Sequence, residues 1–178
     1  AQDLARQAIA QQASLDPAKA EFERLSGQGP AVYRTMARME HASLLTVEGD
    51  LDAALAEFDA AAEQANDPTL RESAQIRAAY IAADTQDFAA LRTRLQPLVD
   101  SDTRVSYLAR ELLAIEAWEA GELDLARDTL QQLTLAFEAP DTLRQRAQIA
   151  LDTIGPGEET ETPADGAPAP APSEGESK

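Results

Sequence analysis

The chain has no cysteine and a single histidine. Without thiols it forms neither disulfides nor thiolate metal sites, and with one imidazole a histidine-rich metal site is excluded. A Cys/His pair is impossible, and any Ser/His pair must use His41. The missing thiols leave the redox compartment open, since a cysteine-free chain suits either. Aromatic residues make up only 4% of the sequence, and Val, Ile and Tyr are scarce, so a sheet would lack the side chains it packs best. No apolar run reaches the roughly 18 residues that a membrane-spanning helix needs. Positive charge is short as well: 15 Lys and Arg stand against 32 Asp and Glu, a net charge of −17 over 178 residues. Such a chain repels phosphate backbones and anionic headgroups, which argues against nucleic acid or a membrane surface as partner.

What is present favours helix. Hydrophobic residues reach 44%, much of it alanine and leucine, accompanied by Glu, Arg and Gln, all good helix formers. The length suits one domain with a tail, and the composition predicts an all-α protein. Helix punctuation is regular. Asp16-Pro17 reads as a cap followed by Pro at the first helical position, with Gly27 as the stop. Gly29-Pro30 opens a helix to about Glu48, ended by Gly49. Leu51 to Gln64 follows, closed by Asn66-Asp67-Pro68. Further helices are expected over Leu70–Asp84, Asp87–Val99, Arg104–Ala120, Leu123–Phe137 and Asp141–Ile154, with Pro97 kinking or shortening the second of these.

The helices repeat. "LLTVEGDLDAALAEF" echoes in "LAIEAWEAGELDLARDTL", with Gly49 and Gly121 in register 72 residues apart. Two steps of 36 bring Ala54, Ala90 and Ala126 together, and likewise Ala42, Ala78 and Ala114. Small residues facing small residues let antiparallel helices approach closely. Three helical hairpins at this period predict a tetratricopeptide-like solenoid of about three hairpins plus flanking helices. Departures from that repeat are visible: Arg38, Arg110, His41 and Arg77 stand where large apolar residues are expected, and Thr85 stands where Gly49 and Gly121 supply the turn.

Three segments result. Residues 1–15 read as a helix, with Leu4, Ala5, Ala8 and Ile9 on one face, and its abrupt start at Ala1 reads as the end of a segment following an N-terminal anchor. Residues 16–154 form the tetratricopeptide-like domain. Residues 155–178 hold half of the ten prolines, half of the eight glycines and six acidic residues against Lys178, and without large apolar side chains they read as a disordered acidic Pro-rich tail.

Catalytic constellations are weak. His41 lies mid-helix and reads as a partly buried polar residue contacting Glu or backbone. Ser43 sits in no strand-turn-helix elbow. Glu116 with Glu119, or Glu122 with Asp124, are the pairings that 32 acidic residues produce by abundance. "GQGP" and "GPGE" lack the strand, helix and lysine of a phosphate loop. No catalytic residue, metal or cofactor is expected, and the partner class is protein.

On the alanine register, the concave surface of the solenoid holds Met36, Met39 and Ser43, then Gln75, Ala79 and Ala82, then Glu111, Ile115 and Trp118. Methionines and an aromatic anchor suit an adaptable peptide groove. Trp118 has two readings, core between helices or part of that groove, and the segment Leu4–Ile9 is a second occupant for the same surface.

The phrases "FERLSGQGPAVYRTMARMEHASLLTVEGDLDAALAEFD", "LRESAQIRAAYIAADTQDFAALRTRLQPL" and "ARELLAIEAWEAGELDLARDTLQQLTLAFEAPDTLRQRAQIAL", over residues 18–154, resemble the tetratricopeptide-like domain of YfgM-type proteins, ancillary subunits of the bacterial Sec translocon. The resemblance implies an N-terminal inner-membrane anchor before this sequence, a domain facing the periplasm, and association with translocon subunits and periplasmic chaperones or their clients. It carries no catalytic motif. Another envelope adaptor, in outer-membrane protein assembly or cell division, is the alternative.

Overall fold

A computed structural model describes residues 15–155; the expected helix over 1–15 and the expected tail lie outside the described residues, apart from Leu15 and Gly155. Among the described residues there are helices and no strands. The first, α1, covers 15–26. Then come α2 (Ala31–Glu48), α3 (Leu51–Gln64), α4 (Pro68–Thr85), α5 (Phe88–Val99), α6 (Val105–Glu119), α7 (Leu123–Leu135) and α8 (Asp141–Ile154).

Local chemistry sets these bounds. Asp50, Asp67 and Asp87 each accept a hydrogen bond from the backbone N–H three residues on, at Ala53, Leu70 and Ala90, which satisfies one of the orphan donors of a helix start. Pro68 occupies the first turn of α4, where its missing N–H costs nothing. Gly49 and Gly121 end α2 and α6 with φ of 82°, a left-handed turn that L side chains resist. Between α4 and α5 the turn is made differently. Gln86 is extended at φ −123° and ψ 161°, so Thr85 and Gln86 need no glycine there. Pro97 lies inside α5 and does not end it.

Each helix from α2 packs on its successor, and the odd-even pattern is unequal: the backbones of α2 and α4, α4 and α6, and α6 and α8 also come close, whereas those of α3, α5 and α7 do not approach one another. Three core clusters follow. Met39 and Ala42 of α2 meet Phe58 and Ala61 of α3 and Ala74, Ala78 and Ile81 of α4. Ile76, Ala79 and Ala82 of α4 meet Leu91, Leu95 and Leu98 of α5 and Ala109, Leu112 and Leu113 of α6. Ala114 of α6 meets Leu130 and Leu133 of α7 and Leu143, Ala147 and Ala150 of α8. Every cluster is thus a hairpin closed by the first helix of the next. Burying each of these leucines stabilises by about 1.5–3 kcal/mol. Across the gap between α3 and α5, the Arg94 guanidinium forks onto Asp59 at 2.5 and 3.1 Å.

The uniform step of 36 is corrected. The caps Asp50 and Asp87 and the cap position Glu122 give steps of 37 and then 35. The residue equivalent to the fully buried Ala54 and Ala126 is therefore Leu91, also fully buried, and not Ala90, which is exposed. The cause is the turn at Thr85-Gln86, which begins the second helix of the middle hairpin one residue later. Ala42, Ala78 and Ala114 are all fully buried, but Ala78 faces the cluster before it, and Ala79 is the member that shares a role with Ala42 and Ala114.

Candidate functional site

The corrected step moves the middle third of the expected surface. Counting 37 from Met39 and Ser43 reaches Ile76 and Tyr80, where 36 had reached Gln75 and Ala79; Ala83 takes the place of Ala82. Ala79 and Ala82 accordingly belong to the core, each with no exposed surface, and Met39 is buried at 6%. A partner reaches none of these three. Met36 is exposed at 48% on α2. Ser43 is half-buried, donates to the Met39 carbonyl and accepts from Arg77 at 3.3 Å. Gln75 faces the other side of α4, in a polar recess with Asp59, Arg71 and Arg94. Trp118 is half-buried in the last turn of α6.

Glu111 and Ile115 do come together. They line a recess of about 430 Å³ between α4, α6, α7 and α8, with Tyr80, Leu112, Leu130, Arg146, Ala147 and Ala150. Its floor is aliphatic because α6 is apolar on nearly every side and α8 presents small alanines to it, which keeps the helices close but leaves space above Ala147 and Ala150. The rim is polar. Arg146 donates from Nε and Nη2 to the two oxygens of Glu111, both at 2.7 Å, a parallel fork that fixes both planes. Tyr80 is 42% exposed. Burial of the rest of its ring raises the phenol above its ordinary range, the Glu111 charge adds to this, and Arg146 partly opposes it.

Sequence reasoning missed Tyr80, Leu112, Leu130, Arg146, Ala147 and Ala150 as lining residues. Tyr80 was legible from the spacing of Asp50 and Asp87. The α8 residues were not, because only the fold brings residues 146–150 against residue 80.

The catalytic candidates stay apart from this recess. His41 Nδ1 lies 3.9 Å from Glu57 Oε2, which also faces Arg38 at 3.3 Å; this is a helix-to-helix polar contact between α2 and α3. Ser43 is occupied by backbone and Arg77. Among the described residues no group of three or more acidic or imidazole side chains could hold a metal ion, and no helix is long and apolar enough to cross a membrane. No protein-family model, curated protein or solved structure matches the chain.

Proposed function

We propose that the chain is a non-catalytic protein-protein interaction module, built as a tetratricopeptide-type solenoid whose first helices line one continuous face. The observation that carries this reading is the recess at Tyr80, Glu111 and Ile115: it is the one aliphatic hollow among the cavities described, and it lies on the line where α4, α6 and α8 meet. A solenoid presents that line to partners, and an aliphatic floor with a fixed polar rim suits side chains of another polypeptide. Together with the resemblance over residues 18–154, this supports an accessory role at the Sec translocon: a periplasm-facing domain, anchored in the inner membrane, that links the translocon to periplasmic chaperones or their clients.

The test is a photo-crosslinking amino acid at Tyr80, and at the exposed Ala90 as control, in the full-length protein in living cells. Adducts with translocon subunits or periplasmic chaperones from position 80 and not from position 90 are expected. Adducts confined to outer-membrane assembly or division proteins would overturn the assignment.

A further inference from the structure

We propose that the recess receives an apolar side chain from a polypeptide segment that carries Lys or Arg on one flank, with the cation lying toward Asp84, Glu116 and Glu119. This rests on the reading of the chain as an interaction module and names the chemistry of its partner.

The apolar half follows from the lining. Leu112, Ile115, Leu130, Ala147 and Ala150 supply no hydrogen-bonding side chain, so water within the recess has few partners and is readily displaced by an aliphatic or aromatic group. The rim does not select charge by itself. Glu111 and Arg146 neutralise each other through both nitrogens of the fork.

The charged half lies one helical turn away, about 5.4 Å along the axes. From Tyr80, one turn along α4 reaches Asp84; from Ile115, one turn along α6 reaches Glu119, with Glu116 beside it. The two helices touch. These carboxylates sense one another: desolvation first, then Glu119, then Asp84 push the Glu116 carboxyl above its usual range. None of the three is in an ion pair among the described residues. Neither α4 nor α6 carries a basic residue in its last turn, so no cation on these helices offsets the three carboxylates. The opposite direction is different. One turn before Tyr80 stands Arg77, over the Phe58 ring at 5.9 Å. Along α4 the flank therefore changes from Arg77 to Asp84 across the recess, which favours a segment whose cation lies on the Asp84 side of its apolar anchor.

The test uses the whole 178-residue chain and three fluorescent peptides that share one Leu/Ala centre and differ in one flank, Lys-Lys, Ser-Ser or Glu-Glu. Fluorescence anisotropy at low salt should rank them Lys over Ser over Glu, with roughly fivefold between the first two, as two exposed ion pairs provide. High salt should compress that ranking. Asp84→Asn with Glu116→Gln and Glu119→Gln, none of them fully buried, should abolish the Lys preference and leave the Ser peptide unchanged. Tyr80→Ala or Ile115→Gln should weaken all three together. Equal binding of the Lys and Ser peptides, a preference that survives the variant lacking all three carboxylates, or no peptide binding at all overturns the inference. It falls alone if crosslinks from position 80 still reach translocon or chaperone partners; if the peptides rank as stated and those crosslinks are absent, the cellular assignment falls and the partner chemistry stands.

Discussion

Ala90 and Leu91 are neighbours on α5 with opposite fates, and substitution separates them. Ala90→Leu adds bulk at an exposed position and should change stability by no more than about 0.5 kcal/mol. Leu91→Ala opens a cavity in the middle cluster and should cost about 2–5 kcal/mol. Ala54→Leu and Ala126→Leu overpack fully buried positions and should cost about 1–3 kcal/mol each. Urea denaturation midpoints check all four; a large loss at Ala90 with little at Leu91 would restore the uniform step. Glu116 gives a pH-dependent case. Its carboxyl is raised by desolvation and by Glu119 and Asp84, so the folded chain holds that proton more tightly than the unfolded one. Stability from this group is therefore greatest in acid and declines as pH rises through the raised value. Glu116→Gln should stabilise the fold at neutral pH, by less than about 0.5 kcal/mol at a half-exposed site, and the gain should disappear at a pH where the wild-type carboxyl is protonated. Calorimetry at the two pH values decides it; a loss of stability at neutral pH would contradict the sign.

At the scale of the element, helix ends dominate. Asp87→Ala removes the bond to the Ala90 N–H and should cost about 1 kcal/mol. Gly49→Ala meets no neighbour within 4 Å, so its cost of about 1 kcal/mol would be conformational, arising from φ of 82° alone. Thermal denaturation of the two variants measures both. These same end signals made the helices legible in sequence. Leu51–Gln64 emerges between Gly49 and Asn66-Asp67-Pro68, where the sequence places it, and Asp141–Ile154 has the bounds expected of it, because caps and breakers act within one turn. The step between hairpins was less legible, because an alanine-rich chain offers matches at several offsets: Ala42 finds Ala78 at 36 and Ala79 at 37, and burial alone does not choose. The aspartate caps do choose, since each is tied to a helix start. α7 ends at Leu135 and not Phe137, which leaves Phe137 87% exposed; nothing in the structure explains that exposure. The recess was half legible. Glu111 and Ile115 follow from the stripe on α6, while Arg146 and Ala150 depend on how α8 lands on it.

For the whole molecule, the consequence of neighbour-only packing is graded stability. α4 and α6 each serve two core clusters, α8 serves one, and α1 has no fully buried residue, although Lys19 bridges to Glu48 at 2.7 Å. Local opening should start where fewest contacts oppose it. Amide hydrogen exchange is expected to be slowest in α4 and α6 and fastest in α1 and the last turn of α8. Uniform protection along residues 15–155 would mean that the clusters unfold as one. The unequal steps of 37 and 35 also bear on how such a gene can lose or gain a copy. A crossover that removes 37 residues at the first joint, 35 at the second, or 72 across both leaves a cap followed by a correctly phased helix. A cut of 36 residues whose joint falls inside a helix offsets the rest of that one helix by a residue, about 100° around its axis, and turns its buried stripe toward water, so the three hairpins do not exchange at a uniform step.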